Sequence, residues 1–196
     1  MSYRDIDIWY SRIFREVVTG VDRESDLPVP WFTHNIWRDL QWTAYVGPCQ
    51  SNTECLAFGL NLESTPTWRL VQGRVALPRF EQLLNSLKDI EWRWHARPRQ
   101  IMKNPPFEHG RPYYTRPTGE VRIEGWLQEL DDIIQCRRTW SDPGKLYGKP
   151  MRPQLQLMRC VGRASTDQDA DEVARNMQAV VHELQPMVSY LTGGRR

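Results

Sequence analysis

Arg93, His95, Arg97 and Arg99 recur at every second position, and Trp92, Trp94 and Ala96 fill the alternate places. Successive side chains of an extended chain project to opposite sides, so this spacing predicts a half-buried strand with one apolar face and one cationic row. Guanidinium groups neutralise phosphates and stack on bases, and an imidazole adds a donor. Just downstream, residues 103–119 carry Lys103, Arg111, Tyr113, Tyr114 and Arg116 among four prolines and two glycines, with no helical or strand period. That stretch reads as a loop or hairpin arm, and a loop longer than about 12 to 15 residues in a compact domain is usually a binding element or disordered. Tyrosine rings on such an arm offer π-faces to unpaired bases.

Charge is distributed to match. The whole chain carries +2, but residues 91–122 hold seven basic side chains against Glu91, Glu108 and Glu120, a local excess of four. The leading expectation is therefore a binding module for nucleic acid, DNA or RNA, or another polyanion, working without an obligatory cofactor. Tyr and Arg are also favoured at protein interfaces, which supports a second reading: a protein-interaction or regulatory subunit that docks through the proline-rich arm. A third reading is a degenerate metal-dependent nuclease-like enzyme using Glu91, Glu120 or Glu124. The plainest role for a charged strand face is protection of a sheet edge against aggregation, and Trp92 and Trp94 read as core residues behind it.

Other chemistries lack their devices. There is no GxxxxGK[ST] loop, no GxGxxG and no GxSxG elbow. His182-Glu183 begins like a zinc-protease helix, but Pro186 stands where the second histidine belongs. The deaminase pattern is missing despite Pro48-Cys49. None of Lys88, Lys103, Lys145 and Lys149 has an acidic residue two positions earlier, so the common nuclease signature is absent. Glu91-x-Arg93 and Glu120-x-Arg122 are its nearest substitutes. The acids Glu124, Glu129, Asp131 and Asp132 read as a solvated helix face. Cys49, Cys55, Cys136 and Cys160 are scattered without metal-ligand spacing, so they read as reduced thiols and zinc is weakly supported, with Cys160 a buried inert one.

The elements that must position these residues follow from periodicity. Ile6, Trp9, Ile13 and Val17 define an amphipathic helix over residues 6–18, ended by Gly20. Trp31, Trp37 and Trp42 arrive within a dozen residues; a short helix at about 32–40 is possible, but this aromatic density fits packing against the first helix equally well, with His34 as a surface or cap residue. Residues 42–47 and 55–62 read as strands joined by the polar turn 50–53. Leu56, Phe58, Leu60 and Leu62 alternate with Ala57, Gly59 and Asn61, whose small size admits another backbone or a ligand. A third strand is expected over 68–75, with Gly73 as a bulge. Pro78 opens a helix with the stripe Phe80, Leu83, Leu84 and Leu87. Beyond the arm come a strand at 120–127, a short helix at 127–138, a loop over 141–153 and a strand at 155–161. The chain closes with a long helix from about Ala170 to Leu191, which Pro186 is expected to kink or divide.

Together these predict a single α+β domain spanning residues 1–196, with an antiparallel sheet of about five or six strands and helices packed on it. A hydrophobic content of 40% fits a folded chain. The longest apolar runs, such as Ala179-Val180-Val181, fall far short of the roughly 20 residues that cross a bilayer. Residues 1–7 place acids where a secretory signal would be basic, so the expected location is cytoplasmic. If one of Trp31, Trp37 or Trp68 faces a cavity, a ligand pocket becomes possible.

Overall fold

The computed structural model describes residues 3–23, 32–37, 40–49, 52–62, 77–88, 90–98 and 151–194. Among these, three helices pack on one face of a five-stranded antiparallel sheet, in agreement with the expected α+β class. Helix α1 is Tyr3–Thr19 and buries Ile6, Tyr10, Ile13 and Phe14 at helical spacing. Its end is a left-handed glycine: Gly20 has φ 72°, and its N–H donates back to the Glu16 carbonyl at 2.9 Å.

The segment after α1 departs from the expected helix. Thr33–Trp37 is a strand, β1, paired antiparallel with β2, Leu40–Cys49. Its residues alternate rather than spiral: Thr33 and Asn35 fall on one face, while Ile36 packs on the core from the other. Phe32 enters the ladder by accepting from the Ala44 N–H at 2.8 Å, and its ring lies 5.9 Å from that of Tyr10. Phe32 thus packs against α1 from the start of the strand. His34 is exposed on β1, as a surface residue.

Strand β3, Asn52–Leu62, continues the hairpin from β2. Leu56, Phe58, Leu60 and Leu62 are fully buried in the main core, where Phe58 stacks on Trp42 with ring centroids 5.6 Å apart. The expected close approach at Gly59 is present: a β-carbon there would stand 1.8 Å from the Leu157 carbonyl oxygen. Helix α2, Leu77–Ser86, carries Pro78 in its first turn and buries Phe80, Leu83 and Leu84, with Leu87 just beyond its end.

Two strands complete the sheet. β4 is Glu91–Pro98 and β5 is Met151–Arg163, and the order is β1-β2-β3-β5-β4. β5 begins earlier than periodicity predicted, taking in residues assigned to a loop. The reason is local: β3 pairs with β5 only from Leu155 onward, so Pro153 pairs with β4 alone and its missing N–H falls on the unpaired side among the described residues. The expected strand at 68–75, the arm at 103–119, the strand at 120–127 and the helix at 127–138 lie outside the described residues, as do Trp31, Trp68 and Cys136.

Helix α3, Ala170–Thr192, covers the sheet with Val173, Met177, Val180, Leu184, Val188 and Leu191. Asp169 caps it by accepting from the Asp171 N–H, and Gly193 closes it with φ 69°. Pro186 does not divide it. Both Pro186 and His182, whose carbonyl loses its partner, are exposed, so water can take the orphaned acceptor while the buried residues on either side keep the helix on the sheet.

Candidate functional site

β4 forms the outer edge of the sheet among the described residues. Its register against β5 pairs Trp92 with Leu157, Trp94 with Leu155, Arg93 with Gln156, His95 with Gln154 and Arg97 with Arg152. Register partners share a face of the sheet. Leu155 and Leu157 belong to the core beneath the helices, so Trp92 and Trp94 occupy core-face rows. Arg93, His95 and Arg97 therefore occupy rows of the opposite face. Three predicted residues are thus collected along one edge by backbone pairing. Arg99, Lys103, Arg111, Tyr113, Tyr114 and Arg116 lie outside the described residues.

Arg152 went unnoticed in the sequence because periodicity reveals which residues share a strand, not which strands pair. Its partnership with Arg97 sets two cationic residues directly opposite each other. Like charges at opposed positions destabilise a strand pair, and an anion between them reverses the sign. Along the paired segments 91–98 and 151–158, three arginines stand against Glu91 as the single acid. Glu91 is buried and pairs with Met158 at the far end of the ladder from Arg97.

The same face changes character inward from this edge. The row through Arg93 continues as Gln156, Asn61 and Gln41 across β5, β3 and β2, and the next row holds Met158, Gly59 and Thr43. Gln156, Asn61 and Thr43 are buried neutral polar groups. Further along lies a sulfur-rich cluster of Cys49, Cys55, Ala57 and Met158, with Tyr45 and Cys160 packed against it. Three cysteines that are dispersed in the sequence are therefore gathered in space, because β2, β3 and β5 are neighbours. Cys160 is half-buried rather than enclosed. It lines an open cleft of about 350 Å³ with Cys55, Gly162, Arg163 and Glu172. The Cys55 thiol donates to the Gly47 carbonyl at 3.2 Å. Hydrogen bonding with Cys160 and Cys49, together with burial, pushes that thiol far up from its ordinary range. Among the described residues no cluster of His, Cys, Asp or Glu is arranged to hold a metal ion.

Glu183, in the abortive zinc-protease sequence, has a structural task. Its Oε1 accepts from the Lys88 N–H at 2.6 Å, and its Oε2 pairs with Arg159. Arg159 also donates to the Lys88 carbonyl at 2.5 Å. This clamp joins α3 and β5 to the turn that leads into β4, and so fixes where the cationic strand enters the sheet. No helix among the described residues is long and apolar enough to cross a membrane.

No protein-family model matches the chain, and no curated protein or solved structure matches it. Among the described residues the class is an α+β domain, with helices on one face of the sheet and Arg93, His95, Arg97 and Arg152 in rows of the other. The reading of that edge rests on its own residues.

Proposed function

We propose that the protein is a binding module for nucleic acid or another polyanion, using the β4–β5 edge together with the arm that follows it. The observation that carries this reading is the opposition of Arg97 and Arg152, with Arg93 and His95 in rows of the same face. A strand pair that sets like charges at opposed positions, with no acid at that end of the ladder among the described residues, is stabilised by an anionic ligand. Neutral amides at Gln156, Asn61 and Gln41 extend the face without opposing an anion. Phosphate contacts of this kind supply affinity and salt dependence rather than sequence preference, so the module is expected to tolerate many sequences.

Fluorescence anisotropy with labelled single-stranded RNA, single-stranded DNA and duplex DNA over a salt series tests the proposal. Each phosphate contact removed by Arg97→Ala or Arg152→Ala should lower the slope of log affinity against log salt by about one and weaken binding of every sequence alike. Absence of binding at low salt, or affinity and slope unchanged in the double variant, refutes it. A buried interface with a protein partner would instead survive high salt.

A further inference from the structure

Three thiols meet at the sulfur-rich end of the second sheet face, and their access to solvent differs. Cys49 and Cys55 are buried, whereas Cys160 is half-exposed. The register explains their proximity. Cys55 pairs with Gly47 on β2 and stands two residues from Ala57, the partner of Cys160 on β5. Cys49 and Cys55 belong to one buried cluster, and Cys160 packs against it. Both Cys55 and Cys160 line the open cleft, which runs beside the start of α3 past Gly162, Gln168 and Asn176. β5 shifts register between the partners of Ala57 and Leu56, one residue beyond Cys160. Such an irregularity loosens the ladder where the two sulfurs would have to approach. A diffusible oxidant therefore meets Cys160 first, and the thiol next to it is one that solvent barely reaches.

We infer that Cys160 and Cys55 form a peroxide-responsive dithiol, with Cys160 as the attacked sulfur and Cys55 as the resolving one. In the first step the Cys160 sulfur displaces hydroxide from a peroxide, forming the sulfenic acid, and the hydroxide leaves as water with the thiol proton. In the second, the Cys55 sulfur attacks that sulfenic sulfur, its proton leaves with the hydroxyl as a second water, and an S–S bond forms. The two thiols lose two electrons and hydrogen peroxide is reduced to two waters. Cys55 suits the resolving role by its place: it is buried where a diffusible oxidant does not arrive first, in the cluster against which Cys160 packs. The product would staple β3 to β5, the strand on which β4 and its cationic row are hung.

The test uses the full chain and hydrogen peroxide. After brief oxidation, alkylation of remaining thiols and peptide mapping, the expected product is a cross-linked peptide pair containing Cys55 and Cys160 that a dithiol reductant reverses. Cys55→Ser should stop the sequence halfway and leave Cys160 labelled by a sulfenic-acid probe about tenfold above Cys49 in the same sample. Cys160→Ser should abolish the cross-link while leaving the far-ultraviolet spectrum unchanged. Three results overturn the proposal: Cys160 inert to peroxide, Cys160 carried to sulfinic acid with Cys55 still a thiol, or Cys49 cross-linked to Cys55 in preference.

Discussion

Replacing Gly59 by alanine should break the sheet at the junction that carries the functional edge. A β-carbon at Gly59 would stand 1.8 Å from the Leu157 carbonyl oxygen and 2.8 Å from its carbon, both backbone atoms of β5. Neither can rotate away, so β3 and β5 must separate by more than an ångström at this point. The ladder hydrogen bonds beside it then stretch beyond useful geometry, at about 1 kcal/mol each, and a buried carbonyl left without its partner adds about 1–3 kcal/mol. The expected loss is about 3–5 kcal/mol, a large part of the roughly 5–15 kcal/mol that holds a typical domain together. Gly47→Ala on the neighbouring strand is the comparison, because its β-carbon would meet only the Tyr45 ring, at an ordinary 3.4 Å. Urea unfolding followed by tryptophan fluorescence measures both variants. If Gly59→Ala loses less than about 1 kcal/mol, or no more than Gly47→Ala, the close approach of β5 to Gly59 is refuted. Because β4 hangs on β5, the Gly59 variant should also lose polyanion binding at denaturant concentrations that leave Gly47→Ala folded.

Two further outcomes follow from interactions beneath and beside the sheet. Arg159→Met leaves Glu183 with the Lys88 amide but without its cation, in a pair whose side chains are only 19% and 23% exposed, so a loss of about 1–3 kcal/mol is expected. A double-mutant cycle with Glu183→Gln should return a coupling above about 0.5 kcal/mol, and a value near zero removes the clamp from the account. Tyr10 donates to the Ala57 carbonyl at 2.9 Å, and burial pushes its phenol well above the ordinary range. With the folded value raised, stability is complete below the unfolded value of about 10 and is lost as pH climbs past it. Tyr10→Phe should therefore cost about 1 kcal/mol near neutrality and shrink the further loss at about pH 11; an unchanged alkaline limb in urea titrations contradicts this.

The helices were legible because their signals are local. Ile6, Ile13 and Phe14, or Phe80, Leu83 and Leu84, declare a buried stripe by spacing alone. Gly20 ends its helix through a backbone angle that other residues avoid. The alternation of β3 and β4 was equally readable, which is why Arg93, His95 and Arg97 were placed on one face before any pairing was known. Strand pairing was not legible. The adjacency of β5 to β3 and β4 depends on contacts between distant segments, so Arg152 and the gathering of Cys49, Cys55 and Cys160 were invisible. β1 is not legible in the aromatic density of Trp31, Trp37 and Trp42, which allows a short helix, whereas the ladder with β2 decides the backbone. Pro186 was weighted by its own missing N–H and not by the exposed surface it occupies.

The last register pair of the outer strands, Pro98 with Met151, joins the end of one strand to the start of the other. Both ends of the span 99–150 therefore attach at one point of the described sheet. Arg97 and Arg152 stand one pair inside that point. The span richest in binding chemistry is therefore joined to the described sheet past one pair of opposed arginines.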